Sequence, residues 1–152
     1  MSKLITFDEL LKLYAAGERD FSSIKIRYIS RRSMNRINLS DAIFGNQTFD
    51  YISCLSNINF RNANLTNVDF AECLIENTDF SYANLSGASF WGSVLSGSNF
   101  TGATLINVDF RQASWINAIF IKANLTGSKD FYPGSGAICS QTILPNGKMW
   151  NT

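Results

Sequence analysis

The chain contains no histidine. Its absence removes the commonest general base, the Ser-His-Asp and Cys-His arrangements and most catalytic zinc sites. Cysteine is scarce: Cys54, Cys73 and Cys139 form an odd set without a Cys-x-x-Cys pair, which argues against a disulfide framework or a zinc site. Proline occurs only at Pro133 and Pro145. Charge is sparse and balanced, 16% of residues with a formal net charge of +1, so no strong field of either sign surrounds the molecule. No run of eighteen apolar residues could span a membrane as a helix, and Met1-Ser2-Lys3-Leu4-Ile5 gives way to polar Thr6 and acidic Asp8-Glu9 instead of a secretory leader. These absences predict a soluble, cytoplasmic, single-domain protein with no catalytic residue, cofactor or metal site.

What the chain has in abundance is a period. From Leu55 to Leu125 every fifth residue is large and apolar: Leu55, Phe60, Leu65, Phe70, Ile75, Phe80 and onward through Phe110, Trp115, Phe120 and Leu125. Two residues before each such centre stands a small or β-branched residue, as at Ala63, Val68, Cys73, Thr78 and Ala83. A five-residue period fits neither a helix nor a plain strand. It fits a unit of three extended residues, with the first and third pointing inward, followed by a two-residue corner. Corners such as Arg61-Asn62, Ser86-Gly87 and Trp91-Gly92 carry Gly or Asn second in most units, as the positive φ of a type II turn requires. A chain that turns alike at every corner stacks coil on coil, about 4.8 Å apart. Leu-like and Phe centres alternate up to Phe110, so a twenty-residue, four-sided coil stacks like on like and sets Phe opposite Phe. A three-sided coil would mix the sizes.

Units such as Ala63-Asn64-Leu65-Thr66-Asn67, Ala83-Asn84-Leu85-Ser86-Gly87 and Ala123-Asn124-Leu125-Thr126-Gly127 resemble the A(D/N)LXX repeat of the pentapeptide-repeat proteins. The resemblance covers nearly all of residues 34–128. It implies an all-β solenoid, a right-handed quadrilateral parallel β-helix with the small residue and the centre inward. The flanks, Asp8 to Phe21 and Thr142 to Gly147, are similar to those common among cyanobacterial members.

The domain is read as one unit over 1–152. Thr6 and Glu9 have capping-box spacing, predicting a helix from about Phe7 to Ala16, stopped by Gly17, with an apolar stripe of Phe7, Leu10, Leu11 and Tyr14. Residues 1–18 thus form an N-terminal lid over an otherwise open coil end; a partner-binding helix is the alternative. Residues 19–128 form the β-helix, with an irregular start near 27–33 and a bulge near 50–54, where Phe49 and Leu55 are six apart. A Cys54–Cys73 disulfide is geometrically poor, because Cys54 points outward and Cys73 inward. Residues 129–152 leave the repeat and are expected to cap the C-terminal end, burying part of Ile116, Ile119 and Ile121, with a turn at Pro145-Asn146-Gly147.

Two surface features stand out. Lys25, Arg27, Arg31, Arg32 and Arg36 form a basic patch, either an anion or nucleic-acid contact or, the preferred reading, a solvated edge that blocks end-to-end stacking. Outward apolar residues at Leu74, Val94, Ile106, Ile116, Ile119 and Ile121, with Trp91 and Arg111 one coil apart and placed to stack, form a candidate interaction surface. Acids in the repeat, Asp69, Glu72, Glu76, Asp79 and Asp109, fall at outward or corner positions, where hydrogen bonding along the coil edges is their ordinary role. The function expected is a non-catalytic interaction or scaffold module for an unknown protein partner, as a monomer or end-to-end dimer, with no membrane or nucleic-acid role. The alternative comes from some members of the family it resembles: a DNA mimic that occupies a type II topoisomerase. The +1 charge argues against it.

Overall fold

The computed structural model describes residues 3–26, 37–49 and 55–151. Parallel bridges join residues twenty apart through the body of the chain, Asn59 to Asp79, Leu74 to Val94, Asn84 to Thr104 and Ser89 to Asp109 among them. Four five-residue units therefore make one coil. Side A carries Phe60, Phe80, Phe100 and Phe120; side B Leu65, Leu85, Leu105 and Leu125; side C Phe70, Phe90 and Phe110; side D Leu55, Ile75, Leu95 and Trp115. All of these centres are buried.

Regular strand is nearly absent within the coils. Each unit contributes a single bridging residue, the one before the centre, where three-residue strands were expected. Two of every five residues turn, so the ladder has no room to lengthen. Each bridge is nonetheless fully bonded: Phe100 N donates to Ile119 O at 2.7 Å above, and Asn99 N to Thr78 O at 2.9 Å below.

Inside, the Phe columns interleave. Phe60, Phe80, Phe100 and Phe120 stack with centroids 5.5, 5.0 and 4.8 Å apart. Side C stacks likewise from Phe49 to Phe110. Rings of opposite columns meet edge to face, as Phe80 with Phe90 at 5.9 Å, the arrangement a ring quadrupole favours. The inward hydroxyls of Thr78 and Ser98 donate to backbone carbonyls, to Leu55 O and Ile75 O, and so enter the core satisfied, whereas the buried Ser128 hydroxyl has no partner among the described residues.

At the N-terminus, β1 (Lys3–Ile5) pairs in parallel with β2 (Ile24–Ile26). Between them lies α1 (Phe7–Ala15), opened by a full Thr6–Glu9 capping box and burying Phe7 and Leu10. Tyr14 Oη donates to Ser40 O at 3.0 Å, tying the helix to the coil. Pairing here runs 23 apart, Asp20 to Ile43, then 21 apart, as Thr48 to Asp69. The expected irregular start near 27–33 and the bulge near 50–54, with Cys54, lie outside the described residues.

At the other end the tail continues the coil with one residue fewer: Ile119 bridges Ile138 and Asn124 bridges Ile143, each nineteen apart. β3 (Thr142–Ile143) then pairs antiparallel with β4 (Met149–Trp150) around the turn at Pro145-Asn146-Gly147. Phe131, 4% exposed, lies 4.8 Å from Phe120 and stacks on Trp115 at 5.3 Å. Trp115 Nε1 is buried without a partner among the described residues.

Candidate interaction surface

Outward side chains are positioned by the same repeat that builds the core. Where the residue before a centre is Asp or Asn, its side chain accepts from the backbone N–H two residues on: Asp69 Oδ1 from Ala71, Asp79 Oδ1 from Ser81 and Asn124 Oδ1 from Thr126. Carboxylates and amides on the flat sides are thereby spent on the corners, the ordinary role expected of them. No group of three His, Cys, Asp or Glu among the described residues is placed to hold a metal. Burial pushes the Cys139 thiol up, with a Thr142 hydrogen bond pulling the other way, so it is no ready nucleophile.

The candidate surface separates into three parts. Leu74 and Val94 are bridged neighbours on side D, both half-buried, with half-buried Trp91 at the adjoining corner; Ser114 follows Val94 and ends the strip. Ile106 stands by itself on the corner between sides B and C. Ile116, Ile119 and Ile121 cross side A from corner to corner on one coil.

The tail covers that last group only in part, leaving Ile119 and Ile121 half-buried and Ile116 exposed. Asn117 N donates to Gly136 O and Phe120 N to Ile138 O, so the tail passes above the isoleucines, and its own outward residue is another isoleucine. Ile116 stays 56% exposed and Ile138 is 49% exposed. Side A thus changes along its length from Asn38, Asn59, Asp79 and Asn99 to Ile119 and Ile138, with Ile116 and Ile121 at its margins. Ile138 has the periodic position only because the tail's register is one residue short, which the five-residue pattern does not reveal.

Arg111 behaves differently from the expected stack on Trp91. Its Nε and Nη2 grip both oxygens of Asp109, with Nη2 to Oδ2 at 2.6 Å, and Lys129 Nζ lies 3.8 Å from the same carboxylate. An acid two residues away on the same unit outcompetes a ring one coil below. The described cations over rings are Arg61 on Tyr82 and Arg19 on Tyr14. Of the basic patch, Lys25 is exposed in β2, whereas Arg27, Arg31, Arg32 and Arg36 lie outside the described residues. No helix of the described residues is long and apolar enough to cross a membrane.

Residues 63–129 match the family model described as a pentapeptide repeat region. No curated protein sequence matches the chain. Among solved structures, it is similar to a pentapeptide repeat protein from the Arabidopsis thaliana thylakoid lumen, at 23% identity and TM-score 0.47, over 64% of this chain and 63% of that one; the chain therefore spans less than two thirds of that protein's structure. It is also similar to a pentapeptide repeat protein from Nostoc, at 20% identity and TM-score 0.38, over 92% of this chain and 100% of that one. QnrB1, a plasmid-mediated fluoroquinolone resistance protein, aligns at 19% identity and TM-score 0.39, over 93% of this chain and 79% of that one.

Proposed function

The chain carries a pentapeptide repeat region at residues 63–129, and from it we infer a non-catalytic interaction module, wound as the right-handed quadrilateral β-helix that the resemblance implies and acting in the cytoplasm on a protein partner. The supporting observation is the isoleucine band on side A. Ile119 and Ile138 are bridged neighbours and Ile116 and Ile121 stand at the corners on either side of Ile119; the four lie at the end of a face otherwise lined by Asn and Asp, and stay partly open after the tail has folded. An apolar patch with a polar surround is the ordinary signature of a protein contact.

The DNA-mimic reading fares worse on the same surface. A mimic needs a continuous file of negative charge, whereas side C runs Thr48, Asp69, Ser89, Asp109, Lys129, and the Asp109 charge is met by Arg111 and Lys129.

The test has two arms. Proteins captured from the source cell by the wild-type chain should be lost with the Ile116→Asp, Ile119→Asp variant and kept with a Leu74→Ser variant; equal capture by all three sinks the side A assignment. Stoichiometric inhibition of DNA gyrase supercoiling, lost on Asp69→Asn and Asp109→Asn, would replace the interaction-module reading with the mimic.

A further inference from the structure

The N-terminal end offers a second surface of different chemistry. β1 pairs with β2 on one edge, and among the described residues Lys3, Leu4 and Ile5 make no other backbone hydrogen bond. An unpaired edge is a template for another extended chain. Lys3 and Ile5, two apart, face the same way, and together with Glu9, Lys12 and Leu13 of α1 they line a cleft of about 260 Å³. That volume is small beside the roughly 300–1,000 Å³ of a small-molecule site, but it has room for a side chain delivered by a strand.

Charge selects what that strand carries. Ion pairs among the described residues involve only Asp109, with Arg111 and Lys129. Among the described residues Lys3 and Lys12 therefore flank the cleft without an ion pair, acting on Glu9 only through their charge. Glu9, the carboxylate between them, is committed to the cap: its Oε2 accepts from Thr6 N at 2.7 Å and from Thr6 Oγ1 at 2.9 Å. A second copy of β1 would bring another lysine against these two, a like-charge contact that discourages self-pairing.

The geometry points to a peptide-docking site at which an extended, acidic segment of a partner adds to the free edge of β1, setting an apolar side chain into the cleft against Ile5 and Leu13 and its carboxylates beside Lys3 and Lys12. Backbone pairing supplies affinity and alternate side chains supply selection, as in other strand-addition complexes. The inference goes beyond the side A reading and uses the opposite end of the molecule.

The experiment titrates the full chain, labelled with 15N, with a blocked seven-residue peptide alternating valine with aspartate or glutamate. Amide shifts should be confined to Lys3–Ile5, β2 and α1. The Lys3→Glu, Lys12→Glu variant, altered only at exposed positions, should bind about tenfold or more weakly, the scale of losing one close charge pair. It should instead accept a peptide in which lysines replace the acids. Ile119→Asp should leave the peptide shifts unchanged, separating failure here from failure of the side A reading. Absent shifts, shifts elsewhere, or unaltered binding by the charge-reversed variant would overturn the proposal. So would a concentration-dependent dimer that disappears on Leu4→Lys, which would make the occupant a second copy.

Discussion

The ring of Tyr82 packs against Gly102 one coil on, so close that a β-carbon built there would stand 2.8 Å from its Cδ1 and Cε1. Both residues hold positive φ, +60° and +67°, as second residues of stacked corners. Tyr82 is 54% exposed and has Arg61 near its ring, 4.7 Å from the centroid. Gly102 is thus fixed twice, by backbone conformation and by space.

Gly102→Ala should destabilise by about 1–2 kcal/mol from the left-handed conformation alone, and further from the clash. Urea denaturation of Gly102→Ala in wild-type and Tyr82→Ala backgrounds separates the parts. A smaller loss in the second background is expected, and equal losses would mean the ring is not a constraint.

The same corner column continues to Lys122, held at φ +59°. Asn visits this region more readily than Lys, so Lys122→Asn should stabilise by up to about 1 kcal/mol. A lower melting temperature would show that the lysine makes a contact worth more than its backbone strain.

Phe100 stacks between Phe80 and Phe120, at 5.0 and 4.8 Å, with Phe90 edge-on at 5.9 Å. Phe100→Ala should cost about 3–5 kcal/mol, the range for a buried ring cut to a methyl. Thermal unfolding close to wild type would be incompatible with this packing.

Hydrogen bonding from the Arg111 side chain holds the Asp109 carboxyl below its usual 3.8, with burial opposing and the Arg111 backbone and Lys129 assisting. A depressed folded pKa contributes stability that is present above the unfolded value and lost as pH falls through the folded one. Asp109→Asn should therefore flatten the stability profile below about pH 4 and leave its slope near neutrality unchanged. Superimposable acid limbs would show that the pair contributes nothing; the Arg111 side chain is 53% exposed, so solvent screening keeps the effect small.

Phe131 closes the top of the core against Phe120, Trp115 and Phe110. Phe131→Ala, or a chain shortened to residue 128, should melt lower or form dimers through the uncovered coil. A shortened chain that stayed monomeric and melted like the whole would show that the tail is no cap.

The sequence by itself determined the coil. A large apolar residue at every fifth position can be buried throughout only if the chain turns at each unit, and alternation of Leu-like and Phe centres distinguishes four sides from three because like rings then stack. The N-terminal helix was equally legible, since its capping box and apolar stripe are local. Tertiary structure alone decided the rest. Glu72, Tyr82, Gln112 and Lys122 take positive φ because the coils above and below impose the corner on whatever residue stands there. β1 has three residues and no pattern of its own, and becomes a strand only because β2 lies beside it. Arg111 chose Asp109 over Trp91, and the tail, which was expected to bury part of the isoleucines, added Ile138 to them. Each of these outcomes depended on which surfaces met across the coils, contacts between residues distant along the chain that leave no period to read.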